Sequence, residues 1–119
     1  MRDGRLTLHP LFECLALEGR ARTLLLIAHE GELCVLELMH AMGMIQPQVS
    51  RHLAQMVRCG LLTSKRKATW VHYRLNPDTP AWIQEVIQKT LHANLEWLNP
   101  SLLRLADMKN RPPRASSPS

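Results

Sequence analysis

The sequence predicts a mainly helical α+β domain, a winged helix-turn-helix of about five to six helices with a two-stranded β-wing. Three observations predict it. Two short helical stretches meet at Gly43; two strand-like stretches follow, with the bases Lys65, Arg66 and Lys67 between them; and further helical stretches lie on both sides of this unit. Few other small folds give that order. A chain of 119 residues suits one domain, and a hydrophobic content of 45% is enough to fill its core.

The elements follow in order. Leu8, Leu11, Phe12 and Leu15 recur at the spacing of one helix face. Gly19 separates them from a second helix, Ala21 to His29, whose centre Leu24-Leu25-Leu26-Ile27 is apolar nearly all round and so belongs in the core. Gly31 ends it. A short third helix spans about Val35 to Met42 and breaks at Gly43. Pro47 falls in the first turn of a fourth helix, where its missing N–H is harmless, and this helix runs to Cys59 and stops at Gly60. The strands Leu61–Lys67 and Thr69–Leu75 form a hairpin with the bases at its tip, the second strand being rich in β-formers. A fifth helix covers Ala81 to Leu98, and Pro100 starts a last short helix to Met108. Residues 1–98 thus make up the winged domain and 99–108 a C-terminal helix. Residues 109–119, with three Pro, three Ser and three bases, read as a disordered basic tail.

The net charge is +5, and its placement is more telling than its size. Six of the ten acids lie at or before Glu37, and the next is Asp78. The 40 residues from Leu38 to Pro77 hold no acid and six bases: Arg51, Arg58, Lys65, Arg66, Lys67 and Arg74. A solvated face normally mixes both signs, so the block reads as a phosphate-facing surface, with chance clustering as the alternative. No apolar run approaches the ~20 residues that span a bilayer and no signal peptide opens the chain, so a cytoplasmic protein with no membrane partner is expected.

Within that block, Val49, Leu53, Met56 and Val57 form the buried stripe of the fourth helix. Its other faces carry Gln46, Gln48, Ser50, Arg51, His52 and Gln55, side chains suited to base edges and phosphates in double-stranded DNA. A merely solvated helix would carry Glu and Lys, and this one carries neither. Lys65, Arg66 and Lys67 would grip the flanking backbone, with Trp70 packed beneath the wing.

Four ordered stretches carry a resemblance: Leu11-Phe12-Glu13-Cys14-Leu15-Ala16, Gly31-Glu32-Leu33-Cys34-Val35, Gln46-Pro47-Gln48-Val49-Ser50-Arg51-His52-Leu53 and Trp70-Val71-His72-Tyr73-Arg74-Leu75. Together they resemble the ArsR/SmtB family of metalloregulatory repressors, nearest in pattern to its arsenic-responsive members, over about residues 8–108. The resemblance implies a homodimer through the first and fifth helices, bound to operator DNA and released by an effector. It implies arsenite or antimonite as inducer, with no organic cofactor. Three positions depart from the pattern. Leu36 stands where a second cysteine is usual, Leu17-Glu18-Gly19-Arg20 replaces an Asp-Pro-Thr-Arg turn, and Ile45 replaces an N-capping Ser.

The odd count of three cysteines argues against a disulfide framework. Cys34 occupies the family's ligand position and is expected partly exposed at a helix N-terminus, where the dipole lowers a thiol pKa. One thiolate cannot hold a three-coordinate thiophile tightly. Cys34 therefore joins Cys14 or Cys59 in an atypical metalloid site, acts as a redox sensor, or is a small apolar residue, as free cysteines usually are. Zinc is not expected, because His92 and Glu96 at i, i+4 lack the second ligand pair such a site needs. No phosphate loop, nucleophile elbow or acid pair supports an enzyme. The alternative to a metalloid-released repressor is a winged-helix dimer with redox or degenerate sensing, acting as a constitutive DNA-binding or protein-interaction module.

Overall fold

The computed structural model describes residues 8–114. In chain order the elements are α1 (Leu8–Cys14), α2 (Glu18–Glu30), β1 (Leu33–Cys34), α3 (Val35–Met42), α4 (Gln46–Arg58), β2 (Leu62–Lys67), β3 (Trp70–Leu75), α5 (Ala81–Ala93) and α6 (Leu95–Asp107). Leu24, Leu25, Leu26 and Ile27 of α2 are all buried, as an all-round apolar helix requires. Around them close Leu38 and Ala41 from α3, Val49, Leu53 and Met56 from α4, Ile83, Ile87 and Leu91 from α5, and Leu98 and Leu105 from α6. The turn between α3 and α4 needs a left-handed residue, and Gly43 supplies it at φ 64°.

Several expectations are corrected. The sheet has three strands, in the order β1-β3-β2, because Leu33 and Cys34 pair antiparallel with Tyr73 and His72. A two-residue strand offers too few positions for alternation to show in the sequence. Gly19 does not separate two helices; it lies in the first turn of α2, which begins at Glu18. The helix expected over Ala81–Leu98 breaks at Asn94 and restarts at Leu95, so Pro100 sits inside α6 rather than at its start. The sixth residue of a helix still tolerates this, since only one intrahelical N–H is lost near its beginning. Val57 is exposed rather than part of the buried stripe.

The segment after α6 also departs from expectation. As far as Arg114 it packs against the domain: Pro112 is buried, and Arg111 Nε donates to Glu37 Oε2 at 2.7 Å. Arg111 Nη2 also reaches Glu30 Oε1 at 3.3 Å, and Arg114 donates to the Glu32 carbonyl. The expectation of disorder for 109–119 fails over 109–114 because its arginines find buried or half-buried carboxylates. The remainder of that tail, 115–119, lies outside the described residues.

Candidate nucleic-acid interface

Burying Val49, Leu53 and Met56 fixes which face α4 turns outward. That face presents Gln46, Gln48, Arg51, Gln55 and Arg58 as exposed side chains and Ser50 as a half-buried one. Ile45, at the N-cap, has no hydroxyl to offer, and Gln48 partly compensates, its Oε1 accepting the Ile45 N–H at 3.3 Å. Gln55 Oε1 accepts from Arg58 Nη1 at 3.3 Å, which orients both along the helix. In the first turn of α4 Pro47 has no N–H and those of Gln48 and Val49 already donate to the Ile45 carbonyl, so what that end of the helix offers an anion is the helix dipole rather than a row of free donors.

His52 behaves differently from its neighbours. It is half-buried and its ring tip lies against Gly19: a Cβ built there would stand 2.5 Å from His52 Nε2. Burial, Arg20 and Arg51 all push its pKa below the ordinary 6.5, so at neutral pH it offers hydrogen bonds and no charge. Gly19→Ala is expected to swing the ring outward at little cost in stability, because the group that must move is the end of a side chain. The His52 pKa should then rise toward its ordinary value, as read by imidazole NMR titration. The sign for stability follows from linkage. The native state binds fewer protons on His52 than the unfolded chain, so this group's contribution falls as pH drops through 6.5 toward the depressed native value.

The three wing bases lie within β2 rather than at the tip, which is Ala68-Thr69 with Ala68 at φ 56°. Lys65, Arg66 and Lys67 pair with His72, Val71 and Trp70, so alternation puts Lys65 and Lys67 on one face and Arg66 on the other. Lys65 and Arg66 are exposed; Lys67 is half-buried and its Nζ donates to the Arg114 carbonyl at 3.1 Å. Trp70 is half-buried and borders a hollow of about 300 Å³ with Cys34, Leu36, Met39 and Gln46.

The thiols also differ from expectation. Cys34 is 1% exposed rather than partly exposed, and burial pushes its thiol pKa up rather than down. Its backbone N–H donates to Glu37 Oε1 at 2.9 Å, so the helix start is capped by a fully buried carboxylate that competes with any thiolate there. Cys14 and Cys59 come together instead, sulfur to sulfur at 2.9 Å. Sequence reasoning had no signal for this pair, 45 residues apart, nor for Arg20 beside it. The signal it passed over for the tail was charge: two acids, Glu30 and Glu37, stand against the bases Arg111 and Arg114. Among the described residues, no group of three or more His, Cys, Asp or Glu side chains is placed to hold a metal ion. His92 and Glu96 fall on different helices, either side of Asn94.

The chain is similar to known proteins in sequence and in fold. The family described as "Bacterial regulatory protein, arsR family" matches residues 18–64, which run from the start of α2 into β2. The arsenic resistance transcriptional regulator ArsR1 of Pseudomonas putida is 53% identical over 102 residues, covering 86% of this chain and 80% of that one. The chain belongs to the arsR family. The arsenical resistance operon repressor of Escherichia coli is 41% identical over 96 residues, covering 81% of this chain and 82% of that protein. Among solved structures, the AntR antimony-specific transcriptional repressor superposes with a TM-score of 0.57 at 28% identity, covering 78% of each chain. The fold is therefore the family's winged helix-turn-helix, mainly helical with a small antiparallel sheet. No helix among the described residues is long and apolar enough to cross a membrane.

Proposed function

We propose that this arsR-family protein is a transcriptional repressor that binds operator DNA as a homodimer and releases it when a trivalent arsenic or antimony species binds. The observation that carries the DNA half is the outward face of α4, polar and free of acids, mounted on buried Val49, Leu53 and Met56. In this reading Gln46, Gln48, Ser50, Arg51 and Gln55 address the major groove, and His52 shapes the same face from behind. Lys65 and Arg66 reach the flanking phosphates, while Lys67 ties the wing to the tail.

Exposed apolar side chains on α1 (Leu8, Phe12), on α5 (Trp82) and early in α6 (Leu95, Trp97) supply the surface a dimer needs. Arg22 stacks over the Trp97 ring at 4.0 Å and presents it as a rigid platform. The effector half rests on the arsenic and antimony responses that the relatives' names record, and on the chain's thiols. Cys34 occupies the position the family pattern gives to a ligand.

The test is a fluorescence anisotropy titration on DNA from the protein's own upstream region. Raising salt from 50 to 200 mM should weaken binding on the order of 1000-fold, as expected for several phosphate contacts. Arsenite should weaken it further at constant salt. Affinity that ignores salt would point to a protein-interaction module instead.

A further inference from the structure

On the side of the molecule where α1 ends, two thiols far apart in sequence share one small site. Cys14, the last residue of α1, is 4% exposed; Cys59, which follows the last residue of α4, is half-buried. Their sulfurs are 2.9 Å apart, so the pair is closed on the Cys14 side and reachable through Cys59. Arg20 of α2 stands beside both. In the singly ionised pair, the Cys14 S–H donates to the Cys59 thiolate, and the Leu61 N–H and Arg20 support the same charge. Together these hold Cys59 down to about 7 while Cys14 is pushed up. Two sulfurs in contact, one of them reachable from solvent, are the arrangement that a thiophilic centre with two exchangeable ligands can bridge. Cys34, by contrast, has the Glu37 carboxylate as its neighbour.

We infer that Cys14 and Cys59 together form a dithiolate site for a trivalent arsenic or antimony centre that keeps one non-thiol ligand. The inference rests on reading the chain as a metalloid-responsive repressor and names the site of that response. With arsenite the retained ligand is hydroxide; with methylarsenite it is the methyl carbon. In either case two As–OH bonds break, two As–S bonds form and two waters leave, their two protons coming from the Cys14 S–H and from the proton that Cys59 gave to solvent on ionising. Arsenic remains trivalent, so neither oxidant nor reductant is needed. Chelation sets the spacing of the two sulfurs, and through them the end of α1 against the last turn of α4. Gly60 and Leu61 lead directly from that point into the wing. Occupancy thereby reaches both elements that address DNA, without any ligand entering the groove.

The experiment uses the reduced full chain without DNA, so its outcome is independent of operator binding. Sodium arsenite or methylarsenite is titrated in, free thiols are labelled with a maleimide, and the labels are counted by intact mass. Two thiols should be protected per arsenic. Cys14→Ser and Cys59→Ser should each weaken binding on the order of 100-fold, the loss of one arm of a chelate. Cys34→Ser should leave two thiols protected. Melting curves confirm folding, and Cys59→Ala, at a half-exposed position, serves if Cys14→Ser does not fold. The arsenical arms identify the retained ligand: methylarsenite binding at least as tightly as arsenite supports a two-thiol site. Protection of three thiols, or loss of binding only in Cys34→Ser, would overturn the inference. So would a pair that ignores both arsenicals and reacts only with hydrogen peroxide, giving a disulfide and two waters. Failure to bind DNA with intact two-thiol protection would instead remove the repressor reading and leave the site standing.

Discussion

Replacing Arg111 with Ala is expected to lower the melting temperature by about 10 °C, the equivalent of roughly 2–3 kcal/mol in a domain of this size. The effect is large because Glu37 is fully buried and Arg111 Nε is 2.7 Å from its Oε2. Removing the guanidinium leaves a carboxylate out of water with less compensation, and such a group costs more than the pair contributed. The loss stays below the upper range for buried pairs because the Cys34 N–H still donates to Oε1, and Arg114 Nη1 remains 3.5 Å from the same oxygen. Adding Glu37→Gln should restore most of the stability, since a neutral amide keeps the cap on the Cys34 N–H without needing a counter-charge. Deleting residues 111–119 also removes Arg114 and the buried Pro112, and should cost more than Arg111→Ala. An unchanged melting temperature on deletion would mean the tail does not pack, and no recovery in the double variant would mean charge is not the cause.

The composition of this tail points to disorder, and the physical reason it misleads is specific. Pro and Ser density reports a chain that cannot build its own core. It says nothing of whether two arginines can reach carboxylates buried by other elements. The helix-turn-helix and hairpin were legible because each rests on local patterns: apolar spacing in α4, the left-handed Gly43, and β-formers in β3. β1 was hidden because two residues carry no period. The break at Asn94 was hidden because Leu91, Leu95 and Leu98 keep a helical stripe across it, and periodicity does not register one lost turn bond. Which side chains α4 turns outward was legible residue by residue except at His52, whose orientation depends on Gly19 in another helix. The thiols were the least legible. A cysteine's role depends on what touches it, and the contact between Cys14 and Cys59 is made only when α1 packs against the end of α4.

Arg51→Ala is expected to weaken operator binding by about 1–3 kcal/mol per half-site, which in a symmetric dimer approaches a 100-fold or greater loss. Arg51 is exposed on the outward face of α4, and no neighbouring acid competes for it in the block from Leu38 to Pro77. Its guanidinium is therefore available to a guanine edge or to a phosphate, and a second variant separates the two. Arg51→Lys keeps the charge and loses the planar fork. If Arg51 reads a base, the Lys variant should lose discrimination between operator and unrelated DNA while its salt dependence stays near that of the original chain. If it grips a phosphate, the Lys variant should bind almost normally, and only Arg51→Ala should reduce the salt slope, by about one. Lys89→Ala on α5, outside the acid-free block, provides the comparison and should leave affinity unchanged. Equal affinity for Arg51→Ala and the original chain would remove Arg51 from the reading face and leave that face of α4 with no charged contact in its first two turns, where Arg51 is the one exposed arginine.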